Sequence, residues 1–492
     1  MNNKNSVLTF DKYIFGYSDA ETEYTRSPKI FEEAFYDPKN IVNKLIHGHE
    51  FMLIGRKGVG KTAFSAKIRN LAKFEENLFA EQISLSNFEF DSFYSMGNAN
   101  LEGTQKFKTV WDLTLIIQIF RMLNRNFDFS EIEQFNKVID FLQKNGLLHG
   151  KNINATVRNL SKRSFDFNLK MFKFTSEYDF KKNIYANTEL IENLLDTLQN
   201  LYYNNNKIRI IVDGLDDILR YTQDNLSILA GLIRSINEIN LTLSNYEIPI
   251  KIILLAREDI LSNITDPDFN KIRRDGGIVL NWNNKTDDLK NLVNLRFKLS
   301  GVPDSSIRNY WNLLFPSVIK NKGSWSYITE FTLSKPRDIL QFLSQCQNTF
   351  PNKTRLSYSE LDTVLVDYSN EYFLDEMKNE LSGFFEDNTI NFVPQIMQKI
   401  GGSDFSYSEF KAVAKSLIGI EEDSYYRRLI LTLFENSYIG QVTEISTYDK
   451  YRKKNITKKQ AIFKHKKSTL KINYDYKFSL HKGFYKALNI KK

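Results

Sequence analysis

The chain has 492 residues, 42% of them hydrophobic, and a formal net charge of +8. That is apolar enough for packed cores and too long for a single one, so about three domains are expected. One cysteine, Cys346, excludes a disulfide framework and a cysteine-based zinc site, and the five scattered histidines show no metal-ligand spacing. No stretch approaches the length of a membrane span, and residues 1–19 lack the apolar run of a signal peptide. A soluble cytoplasmic protein with no membrane partner is the expectation.

Charge is unevenly placed. Residues 450–492 hold fifteen Lys and Arg against one acid, Asp475, so this end carries +14; the remaining 52 bases and 58 acids leave the body at −6. A basic end on a mildly acidic body points to a polyanion such as nucleic acid, or else to a solvated tail that keeps the chain soluble.

Residues 1–40 are polar with scattered aromatics and read as a segment, with a short helix near 31–38, that packs ahead of the core. Phe51 to Ile54 then form an apolar run fit for a buried strand. Residues 55–62 spell G-x-x-x-x-G-K-T, and residues 63–71 continue at helical spacing. Strand, glycine loop and helix together predict a phosphate-binding loop built from Gly55, Arg56, Lys57, Gly58, Val59, Gly60, Lys61, Thr62 and Ala63. Glycines let backbone amides close on a polyphosphate, and the helix start adds free N–H groups and a positive dipole end. Lys61 is expected on the terminal phosphates and the Thr62 hydroxyl on Mg2+.

Residues 87–93 alternate like a strand, and 110–123 are apolar at helical spacing. Residues 164–174 alternate again, which suggests an inserted strand or hairpin, and helix returns at 188–202. The stretch 92–185 reads as an insertion. Residues 208–217 are the second anchor: an apolar strand ends in Asp213, which can hold the Mg2+ water shell beside Thr62. Asp216 and Asp217 follow on the turn, and one of them can orient or deprotonate the attacking water. Residues 226–243 form an amphipathic helix. Residues 251–257 form another buried strand, whose closing Arg257 can sense the γ-phosphate.

Arg273 and Arg274 precede a strand at 277–282. Either could act as an arginine finger in a neighbouring subunit, or simply cap the preceding helix. Residues 284–287 spell N-K-x-D, the guanine-reading pattern, but without its D-x-x-G companion; a linking helix over 285–297 is the better reading. A composition shift at 301–303 opens a helical region. There Pro336 starts a helix that projects Arg337 toward the phosphates. From residue 367 the pattern reads as helices at 372–385, 405–417 and 424–435. A basic, structureless stretch at 450–467 and a strand at 468–479 follow. Three helices and a hairpin with a basic tip is the order of a winged helix.

Together these motifs resemble a family of prokaryotic P-loop ATPases of the additional-strand class, near the signal-transducing STAND ATPases and the origin-recognition-type AAA proteins. The resemblance rests on residues 55–63, 212–217, 256–260, 279–282 with Arg296, 335–338 and 481–488. It implies an α/β P-loop NTPase core with a parallel sheet over 41–300, a helical lid over 301–365 and a C-terminal winged-helix domain over 366–492. ATP and Mg2+ are its cofactors, bound at the core–lid junction, with the segment 1–40 able to cover the adenine. Arg257 looks like sensor 1 and Arg337 like sensor 2. The resemblance also implies assembly as a homo-oligomer or with an effector protein, and a role in anti-phage defence. One departure is Asp217, where relatives often have Glu. Its shorter arm leaves slow turnover, or a non-catalytic ATP-binding scaffold, as alternatives; a GTPase is the third.

Overall fold

The computed structural model describes residues 7–97, 105–148, 153–162, 165–167, 176–178, 184–214, 223–262, 264, 268–282, 287–449 and 454–491. The chain divides into two compact units, one made of residues 37–57 and 61–281, the other of residues 1–36, 58–60 and 282–492.

The first unit is built on a parallel sheet. Its strands are β1 (Met52–Gly55), β2 (Leu78–Ser84), β5 (Lys207–Asp213), β6 (Ile250–Arg257) and β7 (Gly277–Val279), and the hairpin β3 (Phe165–Phe167) and β4 (Ser176–Tyr178) stands apart from them. The order across the sheet is β2-β5-β6-β1-β7, with every pairing parallel. Strands β1, β5 and β6 are almost wholly buried. Burial on both faces is why they read as unbroken apolar runs in the sequence. The helix Gln105–Asn126 lies against Gln223–Asn245, which in turn covers β6. Their seam is tied at two points: Trp111 donates its indole N–H to the Ile228 carbonyl at 2.8 Å, and the Ser235 hydroxyl donates to Asp112 at 2.6 Å. Burial raises the Asp112 carboxyl above its usual range, with Lys108 at 2.7 Å opposing the shift.

The alternating run at 87–93 is not a strand. The strand is β2, upstream of it, and Phe90–Tyr94 is a short helix. Of the aromatics that produced the alternation, Phe88 stacks on Trp111 at 5.2 Å, Phe93 approaches the same ring at 4.4 Å, and Phe90 meets Phe88 edge-on at 5.1 Å. β2 itself lies at the sheet's edge and is only half-buried, so it lacks the apolar signature of its neighbours.

In the second unit, the helix Asp288–Leu299 packs on Pro28–Ala34. Arg296 holds Glu23 through two bonds of 2.6 and 2.8 Å, both side chains buried. The small hairpin β8 (Val318–Ile319) and β9 (Lys322–Gly323) follows, then the helices Ser324–Thr329, Pro336–Thr349 and Tyr358–Tyr368. The last of these starts from a reciprocal cap between Ser357 and Glu360. One wide turn, Ser369–Phe373, carries the chain into Leu374–Leu381.

Three helices come next, Asp387–Ile400, Tyr407–Ile418 and Asp423–Glu435, followed by an antiparallel sheet of β10 (Ile439–Asp449), β11 (Lys454–Ile462) and β12 (Phe478–Leu480) in the order β11-β10-β12. Two expectations are corrected here. The basic stretch at 450–467 is not structureless, because residues 454–462 pair in register with 441–449. A lysine-rich sequence suits an edge strand, whose outer side is open to water. Conversely, the strand expected over 468–479 shrinks to 478–480. The helix Asp387–Ile400 was hidden from the sequence pattern by Pro394 within it. Among the described residues no helix is long and apolar enough to cross a membrane.

Candidate functional site

β1 ends at Gly55, and the helix Lys61–Leu71 begins six residues later. The turn between them requires glycine at two places, Gly58 with φ +78° and Gly60 with φ +97°. Both lie in the left-handed region, where a Cβ is strained. At Gly58 an added Cβ would also meet the Lys335 side chain at 3.2 Å. The Lys61 ammonium folds over the loop and donates to the carbonyls of Gly55 at 3.0 Å and Arg56 at 3.1 Å.

The Thr62 hydroxyl donates to the Asp213 carboxylate at 3.3 Å. Parallel pairing explains the meeting: β1 and β5 both end on the same edge of the sheet, where ligands of open α/β folds bind. The side-chain amide of Gln82 on β2 donates to that same Asp213 oxygen at 3.5 Å, its own oxygen accepting from the Ser65 hydroxyl at 2.8 Å, while the other Asp213 oxygen accepts from the Gly214 amide at 2.7 Å. Two oxygens about 3 Å apart span one edge of an octahedron with metal–oxygen distances near 2.1 Å, so the hydroxyl and carboxylate fit a hard divalent cation such as Mg2+.

Arg257 closes β6 in direct register with Gly55. It is buried and grips Asp259 in a fork of 3.0 and 2.7 Å. Burial pushes the Asp259 carboxyl up, but Arg257 and Lys61 together outweigh it and hold the carboxyl below its usual range. Arg273 lies in the last turn of Phe269–Gly276 and bonds Glu258 at 3.3 Å; Arg274 is exposed and bonds its neighbour Asp275 at 3.0 Å. Asp216 and Asp217 lie outside the described residues, as does most of the N-K-x-D run.

In the second unit, Lys335 and Arg337 stand at the start of Pro336–Thr349. Arg337 bonds Glu376 at 3.4 Å, and Lys335 faces Glu380 at 3.6 Å with both side chains at most 3% exposed. The tip of the glycine loop belongs to this unit. Its Val59 carbonyl accepts the indole N–H of buried Trp282 at 2.8 Å, and Gly58 lies beside Lys335 and Arg337. Among the residues in these contacts, Gln82, Glu376 and Glu380 lie outside every motif read from the sequence, whereas Asp259 and Trp282 lie within 256–260 and 279–282 but carry no role of their own in that reading.

The helical region 287–375 matches the family model described as the FunZ-associated C-terminal helical domain. The chain is similar, at 22% identity over 353 residues, to an Escherichia coli (strain K12) protein described as a transposon gamma-delta 80.3 kDa protein. That match takes in 69% of this chain but only 47% of the relative, so the chain spans about half the length of the curated protein it matches. The crystal structure of Cdc6p from Pyrobaculum aerophilum aligns over 97% of both chains at 13% identity and a TM-score of 0.31; at that score the likeness carries no functional weight.

Proposed function

We propose that this chain is a Mg2+-dependent ATP-binding switch that hydrolyses ATP slowly. The observation that carries the reading is the meeting of Thr62 and Asp213 at 3.3 Å beside a glycine loop spanned by Lys61. Lys61 would neutralise the β- and γ-phosphates, and Thr62 with Asp213 would hold the metal, whose charge stabilises the transferring phosphoryl group. Arg257 and Arg337 would add cations once a triphosphate competes for them with Asp259 and Glu376. Asp216 or Asp217 is the proposed water-positioning acid, and Arg273 or Arg274 a cation offered to a neighbouring copy.

In this reading residues 41–300 are the core, 301–365 the lid and 366–492 a winged helix, with nucleic acid as its ligand. Support for the last comes from the helix–helix–helix–hairpin order and the +14 end. The third helix is poorly suited to reading bases. Arg427 is held between the rings of Tyr407 and Tyr474 and bonds Asp423 at 2.7 Å, while Arg428 lies over Phe385 and Tyr425. Contact would run through the hairpin to phosphates, without sequence preference. A place in anti-phage defence has only the family resemblance behind it.

A non-catalytic scaffold that assembles with an effector protein is the second reading. It is favoured by the carboxylates that already engage Arg257 and Arg337. Steady-state ATP hydrolysis with Mg2+, with and without duplex DNA, separates the two. The switch predicts turnover that Asp213→Asn abolishes; tight ATP binding with no turnover in either condition selects the scaffold.

A further inference from the structure

Trp282 lies outside the phosphate-loop motif, yet it makes a direct bond to the loop. Its indole N–H donates to the carbonyl of Val59 at 2.8 Å, and both side chains are buried. The ring is held from behind. Tyr36 packs on it with centroids 6.1 Å apart; the Tyr36 hydroxyl donates to Asp288 at 2.9 Å and accepts from Asn291 at 3.3 Å. Asp288 is itself buried at the start of Asp288–Leu299.

The consequence follows from peptide geometry. The described chain has no cis peptide bond, so the 59–60 peptide is planar and trans, with its C=O and N–H pointing in opposite directions. Pinning the Val59 oxygen on Trp282 therefore turns the Gly60 amide hydrogen to the opposite side of the loop. Gly60, at φ +97°, has no Cβ to restrain that peptide, so an outside bond is what fixes it. We infer that Trp282 is a positioning residue for polyphosphate: its N–H orients the Gly60 amide as a donor to a phosphate oxygen. This rests on the nucleotide reading above.

The test is Trp282→Phe, which keeps a ring and removes the donor. ATP affinity and inorganic tripolyphosphate affinity, the latter by competition, are measured for both proteins. Losing one oriented donor predicts a fall of roughly three- to tenfold. The fall should be equal for ATP and tripolyphosphate, because the effect is on the phosphates. Unchanged ATP affinity overturns the inference. So does a loss confined to ATP, which would make Trp282 a contact for the base. Should Trp282→Phe not fold, Tyr36→Phe removes only the hydroxyl anchored on Asp288. It is expected to weaken both ligands about twofold in parallel, and no change in either overturns the inference. If the unaltered protein binds neither ligand, the nucleotide reading fails and takes this inference with it.

Discussion

At the scale of single residues, one half-buried cation, Lys251, ties stability to pH. Lys251 sits near the start of β6 with its ammonium on the carbonyls of Gly48 at 2.8 Å and Glu50 at 3.1 Å. Burial, reinforced by Arg209, pushes its pKa down to about 7. Below that value both folded and unfolded chains carry the proton, and the cost of burying the charge is fully present. Between about 7 and the ordinary lysine value near 10.4 the unfolded chain binds more protons, so stability rises with pH across that window. Denaturant unfolding at pH 6 and pH 9 should show Lys251→Met gaining most on the native protein at pH 6, with the advantage shrinking at pH 9. A difference independent of pH would show that the ammonium is not destabilised. The sequence offers no hint of such a lysine. A strand-start Lys reads as exposed until the fold wraps carbonyls around it. Trp282 and Asp259 fall within segments the sequence singles out, but their contacts do not show there, because the partner lies far away along the chain or depends on which way a side chain turns. Gly58, Gly60, Lys61 and Thr62 could be named in advance because a glycine loop carries its chemistry within eight consecutive positions.

At the scale of elements, what could be read follows burial. β1, β5 and β6 are covered on both faces and announce themselves as apolar runs. β2 and β11 are edge strands with mixed or basic composition and do not. The long helices Gln105–Asn126 and Gln223–Asn245 were legible for the same reason as the central strands: each presents apolar residues at helical spacing to a buried seam. The contact of Pro336–Thr349 with Leu374–Leu381 makes a sharper prediction. Lys335 and Glu380 face each other at 3.6 Å, almost fully buried. Glu380→Gln removes the charge that faces the buried Lys335 ammonium and should cost about 3–5 kcal/mol in unfolding free energy, whereas Lys335→Met with Glu380→Gln should recover most of it. Equal stability of the single variant and the native chain would show that the two do not act as an ion pair. Glu376 and Arg337 repeat the pairing nearer the surface, so the start of Pro336–Thr349 is held to Leu374–Leu381 at two successive turns.

For the whole molecule, the proposal joins a nucleotide-dependent core to a basic C-terminal end. Its electrostatic part is measurable on its own. Binding of duplex DNA should weaken with salt, with a slope near −0.9 per phosphate contacted, and Lys459→Glu with Lys467→Glu should flatten the log–log slope by about 2 while leaving sequence preference unchanged. A salt-independent affinity would point to a protein ligand instead.

The central claim is that a triphosphate is held by the glycine loop through Lys61, with Mg2+ on Thr62 and Asp213. Calorimetric titration of ATP, with Mg2+ and with chelator, into the native protein and Lys61→Ala tests it most directly. The account predicts saturable Mg2+-dependent binding by the native chain and, from the loss of a charge-assisted contact worth about 1.5–3 kcal/mol, a drop of at least tenfold in the variant. Equal ATP affinity in the two proteins, or no binding by the native chain, would contradict it.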